Sequence, residues 1–286
     1  MSRLELPEAP GLTGLYARAL QRQLPLIGGG GGDALPDTEL VLDGAEIDRT
    51  HLAAYGAVCG FRLSDVAPPT YLHVLAFPLA MRLMTDADFP FGVMGLVHIA
   101  NRIDQHRAVR AGEAVELRVR ADDLRDHDRG PQFDVVGEAW SDDELVWEDR
   151  STYLRRGGGG GGKKPRADEP APSGEGAIWR VPGDIGRRYA SVSGDRNPIH
   201  LHGATARLFG QPAPIAYGMW LKARCLTALE GRYGEQCSVA VRFKLPVRLG
   251  SKVAFTSSMS ADGERAFEVR GAGDGKPHLS GTLSSG

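Results

Sequence analysis

Residues Tyr189 to Trp220 read YASVSGDRNPIHLHGATARLFGQPAPIAYGMW, and the organisation of the chain can be worked outward from this stretch. It opens on Tyr189-Ala190-Ser191-Val192-Ser193-Gly194, a short helical pattern stopped by a glycine, the residue that most readily ends a helix. It closes on Tyr217-Gly218-Met219-Trp220, which leads into a helix expected over Gly218 to Glu230. Met219, Trp220, Ala223, Leu226, Thr227 and Leu229 cover much of that helix's circumference. A helix apolar on most sides is wrapped by other structure. The wrapping follows directly, as strand-like runs over Ser238–Leu245, Lys252–Ser260 and Arg265–Arg270 and near His278–Leu283. Asp262-Gly263 and Gly273-Asp274-Gly275 supply turns between them.

The same layout recurs upstream. Tyr55, Val58 and Gly60 line up with Tyr189, Val192 and Gly194. Val109, Arg110, Gly112, Val115 and Leu117 line up with Val247, Arg248, Gly250, Val253 and Phe255. The offset is 134 in the first block and 138 in the second, which marks a duplicated unit with a small insertion. A helix is expected over Ala76–Thr85 and strands over Ala114–Ala121, Phe133–Trp140 and Leu145–Leu154, with a turn at Ser141–Glu144. The expected fold class is therefore α+β, with two antiparallel sheets each curled around a central helix, a pseudo-dimer in one chain. The division is residues 1–156, a Gly/Lys/Pro-rich linker at 157–176, and residues 177–286. The glycine runs Gly28–Gly32 and Gly157–Gly162 carry no chemistry and lack the Lys-Ser/Thr ending of a phosphate loop.

Chemistry concentrates between the two helical signatures. Asp195 and His200 are five residues apart across Asn197-Pro198, and a proline there forces a turn that lets both side chains face one space. A carboxylate beside an imidazole is a competent acid/base pair near neutral pH. Gly218 opens a helix whose first amides are free donors at its positive end, and it lacks a side chain that would keep a carbonyl away. That suits stabilisation of negative charge on a thioester oxygen.

The segment Tyr189–Met219 closely resembles the signature of the MaoC-like (R)-specific enoyl-CoA hydratases, roughly Y-A-x-x-S-G-D-x-N-P-I-H, then A-x-x-x-G, then P-I-x-H-G-M. The later Phe243-Lys244-Leu245-Pro246-Val247 looks like that family's following strand. The whole chain, including PPTYLHVLAFPLAM from Pro68 to Met81, resembles the actinobacterial double hot-dog 3-hydroxyacyl-thioester dehydratases. The resemblance implies an acyl-CoA or acyl-carrier-protein thioester as substrate and a catalytic trio of Asp195, His200 and the Gly218 N–H. Asn197, Ser193, Tyr217, Met219 and Lys244 are the candidate substrate-binding residues. No metal or cofactor is implied. The family carries His where this chain has Tyr217, so the hold on the helix start differs here.

By the repeat offsets, Phe61 stands opposite Asp195, Val66 opposite His200 and Ala80 opposite Gly218, so only the second half is expected to be active. A non-catalytic acyl-thioester-binding subunit is the alternative. A thioesterase is disfavoured by the Asp-x4-His spacing. The net charge of −2 gives no pull toward nucleic acid. No apolar run has the length of a membrane span. Three cysteines, Cys59, Cys225 and Cys237, without metal-site spacing suit a reducing cytoplasm. The pseudo-dimer is either complete alone or pairs again as a homodimer.

Overall fold

Two sheets of five main strands meet edge to edge at one antiparallel pair, and that seam sets the architecture. The computed structural model describes residues 1–22, 34–155, 176–208, 211–261 and 263–286. Both glycine runs, all but the last residue of the expected linker, and Asp262 of the expected turn lie outside the described residues.

In chain order the first half contains β1 (Ser2–Glu5), α1 (Leu12–Gln21), β2 (Thr38–Glu46), α2 (Arg49–Cys59), α3 (Tyr71–Met84), β3 (Leu96–Gln105), β4 (Ala114–Arg125), β5 (Gln132–Ser141) and β6 (Glu144–Arg155). The second half contains β7 (Ala177–Arg180), α4 (Ile185–Ser193), α5 (Gly203–Leu208), α6 (Gly218–Ala228), β8 (Cys237–Phe243), β9 (Lys252–Met259), β10 (Arg265–Gly271) and β11 (Pro277–Ser285). The strands form one sheet in the order β1-β2-β4-β5-β6-β3-β8-β11-β10-β9-β7. Read outward from the β3–β8 seam, β6-β5-β4-β2 on one side repeats as β11-β10-β9-β7 on the other. The seam register runs from Ala100↔Arg242 to Gln105↔Cys237.

Each half wraps a central helix, α3 or α6. On α6, Met219, Trp220, Leu221, Lys222, Ala223, Cys225 and Leu226 are buried, and on α3 nine of fourteen residues are. Each fully buried large apolar side chain contributes about 1.5–3 kcal/mol, so these helices anchor the two cores. α2 and α4 end alike, on Gly60 (φ 90) and Gly194 (φ 71), both in the left-handed conformation that favours glycine. They pack on each other, and His51 Nε2 meets the Val192 carbonyl at 2.8 Å.

Five of the seven expected strands fall within observed ones, Ser238–Leu245 and Lys252–Ser260 overrun β8 and β9, which end at Phe243 and Met259, and the Ser141–Glu144 turn carries positive φ at Asp142 and Asp143, as tight hairpins require. Three features differ. The first central helix begins at Tyr71 rather than Ala76, because Pro68-Pro69 pre-set its entry, and it tolerates Pro78 inside. β1, β2, β3 and β7 carry no clear sequence periodicity, and α1, whose Leu12, Leu15, Tyr16 and Ala19 recur at helical spacing, was not among the expected elements. β3, with His98, Asn101, Arg102, Asp104 and Gln105, is too polar to announce a central strand, yet it forms the seam.

The third difference is the pairing of the two halves. Val66 bridges Arg110 as Ile215 bridges Arg248, and the Ala67 N–H donates to the Val109 carbonyl (2.9 Å) as Ala216 does to Val247 (2.8 Å). The offset is thus 134 at Gly60/Gly194 but 149 at Val66/Ile215, so the second half carries fifteen extra residues at that point. Val66 is not the partner of His200, and Ala80 is not the partner of Gly218. Val66 matches Ile215, and Pro69 stands where Gly218 does. The sequence offsets misled because this insertion is largely cancelled by extra residues before Arg110.

Candidate active site

The fifteen extra residues belong to the loop between α4 and α6 that holds Asp195 and His200. Its shape is dictated locally. After Gly194 turns the chain, the Ser193 Oγ accepts the Asp195 N–H (3.2 Å) and the Asp195 Oδ1 accepts the Asn197 N–H (2.9 Å). The Asn197 side chain accepts the Ile199 N–H (3.3 Å), capping a single 3-10 turn, Pro198–His200, with Pro198 at its first position. Ser193 and Asn197 therefore hold the loop through their side-chain oxygens.

His200 is buried, and its Nδ1 lies 2.8 Å from the Ile215 carbonyl oxygen. A carbonyl oxygen only accepts, so Nδ1 carries the hydrogen. Burial pushes the imidazole pKa below its ordinary value, against the opposing pull of the Asp195 carboxylate and the Ile215 bond. The ring is therefore neutral at pH 7, with its lone pair on Nε2. Tyr217 clamps this arrangement: its ring stacks on His200 with centroids 3.7 Å apart, and its hydroxyl donates to the Asp195 carbonyl (2.6 Å). Burial and the nearby Asp195 charge push the Tyr217 phenol far up, so it stays a donor. The position where the signature has His thus ties both members of the pair to the start of α6.

Gly218 is the first residue of α6, where amides have no partner within the helix. A Cβ there would lie 2.9 Å from the Phe243 ring, so only glycine lets Phe243 cover the helix mouth. Met219 is buried behind it. Lys244 is exposed next to Phe243, and its N–H donates to the His278 carbonyl (2.9 Å).

Three participants escaped sequence reading. Tyr16 of α1 donates its hydroxyl to Asp195 Oδ1 (2.7 Å), and no local pattern signals a partner 179 residues away. Phe243 was noted only as part of a strand. The third is a buried polar chain across the seam: Lys222 Nζ donates to Asn101 and to the Val239 carbonyl (3.0 Å), Asn101 donates to Asp149, and Asp149 meets His73 Nδ1 at 2.6 Å. Burial lowers the Lys222 pKa to about 7. His98 packs between Tyr153 and Phe243, and burial pushes its pKa down to about 3. Among the described residues no cluster of three His, Cys, Asp or Glu side chains could hold a metal ion, and no helix is long and apolar enough to cross a membrane.

Residues 171–274 match the model of the MaoC like domain, and residues 52–148 match that of the FAS1-like dehydratase domain region. The chain is 36% identical over 254 residues to 3-hydroxyacyl-thioester dehydratase X of Mycobacterium tuberculosis, covering 88% of this chain and 90% of that protein. The crystal structure of HtdX from M. tuberculosis superposes with a TM-score of 0.76 at 35% identity, over 87% of this chain and 99% of that one. A second M. tuberculosis protein, described as having a double hotdog fold, gives a TM-score of 0.51 at 14% identity, over 85% of this chain and 94% of the other. At that identity the likeness concerns the fold alone.

Proposed function

We propose that this chain, which belongs to the MaoC-like dehydratase family and has its double hot-dog fold, adds water across the 2,3 double bond of an enoyl thioester, or removes it from a 3-hydroxyacyl thioester. It is a hydro-lyase of fatty-acid metabolism. Its substrate is an acyl-CoA or acyl-carrier-protein thioester, and its product has (R) configuration. The observation that carries the reading is the convergence of Asp195, a neutral His200 and the Gly218 amide within one tyrosine-clamped loop.

The chemistry follows from those groups. Asp195 Oδ2 and His200 Nε2 are two acceptors, enough to hold both hydrogens of one water. The water oxygen attacks C3 as one proton passes to the pair. Negative charge flows to the thioester oxygen, where the Gly218 N–H and the α6 dipole receive it. A proton then returns to C2, so the elements of one water are added.

The division into residues 1–156, a linker at 157–176 and residues 177–286 belongs to the same reading, with residues 177–286 catalytic. The seam between equivalent strands supports it. Three buried, unpaired cysteines favour the cytoplasm. The chain is its own pseudo-dimer, and further pairing into a homodimer is a matter for sedimentation.

The test is to mix purified protein with short and long trans-2-enoyl-CoA, follow loss of the enoyl-thioester absorbance, resolve product chirality and assay free thiol. Formation of (R)-3-hydroxyacyl-CoA, absent in His200→Ala, is the expected result. Ligand binding without turnover in folded protein would return the chain to a non-catalytic subunit.

A further inference from the structure

We infer that Tyr16, on the N-terminal helix α1, is a positioning residue of the active site that fixes the rotamer of Asp195. This rests on the reading above, in which Asp195 is one of the two water-holding groups.

The Tyr16 hydroxyl sits between two groups of the catalytic loop. It donates to Asp195 Oδ1 (2.7 Å) and accepts the Arg196 N–H (2.7 Å). The Asn197 N–H donates to the same Oδ1 (2.9 Å). Two donors on one oxygen pin the carboxylate plane and leave Oδ2 as the oxygen available to water. A phenol in this place must stay protonated to serve, and burial with the adjacent Asp195 charge holds its pKa far above the ordinary tyrosine value.

The helix that presents Tyr16 is fastened by other contacts. Leu15 and Ala19 are buried. The Arg22 guanidinium donates to the carbonyls of Asp86, Ala87 and Phe89, which pins the end of α1 to the segment after α3. Leu12 lies against the end of α4, where a Cβ at Gly194 would come within 2.3 Å of its Cδ1. The hydroxyl is therefore free to orient Asp195 without being needed to dock the helix. The equivalent place in the first half is built differently: the space beside Gly60 is met by Arg224 at 3.4 Å and Thr227 at 3.7 Å, both side chains of α6, so no tyrosine hydroxyl stands there. α1 thus lies over the half that has a dyad.

The experiment is Tyr16→Phe in the full chain, with circular dichroism and thermal melting to verify the fold. Removing a donor from a carboxylate disfavours its charged form, which shifts the acid limb of the pH–rate profile. The charged and titratable groups around that carboxylate are Tyr16 from α1, Tyr153 from β6, Tyr189 from α4, and Arg196, His200 and Tyr217 from the loop and its exit. Only Tyr16 is altered, so the shift reports on its hydroxyl. With enoyl-CoA we expect kcat to fall about tenfold with KM within about twofold, consistent with loss of one hydrogen bond to a charged group. We also expect the acid limb of the pH–rate profile to move upward. The carboxyl carbon chemical shift of Asp195, read by NMR at one pH, reports the lost hydrogen bond without turnover, and so separates failure of this inference from failure of the proposed activity. A Tyr16→Phe protein whose kcat, acid limb and Asp195 carboxyl chemical shift all match those of the unaltered chain would overturn the inference.

Discussion

Between Gly60 and Val66 the first half spends five residues, and between Gly194 and Ile215 the second half spends twenty. The flanking scaffold is the same: a helix ended by a left-handed glycine, then a bridge to an arginine on the strand side, then a central helix. In the short version the chain goes straight from cap to bridge through Phe61 and Asp65. In the long version it detours through Asp195, the Pro198–His200 turn and α5 before returning. The helix mouths differ too. Pro69 has no amide hydrogen, whereas Gly218, at the equivalent place, has a free one. The duplicated fold thus brings Asp195, His200 and the Gly218 amide together in one half and has Phe61 and Pro69 at the matching places of the other. A cavity of about 410 Å³ lies at the short version, beside Phe61, Val66, Pro68 and Pro69. Space alone does not make the site.

The comparison breaks most sharply if the long loop is made chemically like the short one. Asp195→Asn and His200→Ala should each cost about 10²–10⁴ in kcat/KM, the usual share of acid/base catalysis, with the fold intact by circular dichroism. Retained hydration in either variant would place the chemistry elsewhere. Gly218→Ala makes the second helix mouth crowded. Its Cβ meets Phe243 at 2.9 Å, so Phe243 must shift into the space for the thioester, and kcat should fall by roughly 10²-fold, as for loss of one oxyanion donor.

The next expectation concerns pH, and it sets a buried histidine of the first half beside that of the second. His98, with its pKa pushed down to about 3, and His200, also lowered, are neutral in the folded protein. An unfolded histidine takes up a proton near pH 6.5. As pH falls below that value the unfolded state binds protons the folded state refuses, so stability falls from pH 6.5 toward about 3. The slope is at most about 1.4 kcal/mol per pH unit for each such histidine. Melting temperature measured across this range should fall less steeply in His98→Phe. For catalysis the same depression keeps His200 in its neutral form below its ordinary pKa.

The smallest effect is expected at the residue that replaces the signature histidine. Tyr217→Phe removes the hydroxyl bond to the Asp195 carbonyl and keeps the ring on His200. It should cost about 1 kcal/mol, seen as a severalfold loss of kcat. Tyr217→Ala, which also removes the stacked ring, should lose more. Both variants keeping the activity of the unaltered chain would show that the clamp has no catalytic consequence.

Much of this site could be read in advance because its parts are close in the chain. Asp195, Asn197, Pro198 and His200 lie within one turn, and Gly218 marks the start of a helix whose apolar residues betray its burial. The equivalence of the halves was only partly legible. Val66-Ala67 resembles Ile215-Ala216, and that short likeness held the true register, while the nearly constant offset of the longer blocks pointed elsewhere. The strand β3 was hidden because two of its polar residues, Asn101 and Gln105, are buried at the seam. Asn101 meets Lys222 and Asp149, and Gln105 donates to the Glu235 carbonyl (2.8 Å).

By itself, then, the sequence determined that the unit is duplicated, that each copy wraps an apolar helix, and that Asp195, Asn197 and His200 share one turn in the second copy. Those properties depend on periodicity and on neighbours a few residues apart, which backbone geometry translates directly into structure. Only the tertiary structure decided that Tyr16 reaches Asp195, that Tyr217 clamps His200, that Phe243 closes the mouth at Gly218 and that Pro69 occupies the corresponding place in the other half. Each of these joins residues distant in sequence, brought together by burial and by the pairing of β3 with β8. Side-chain partners chosen that way leave no periodic trace in the chain.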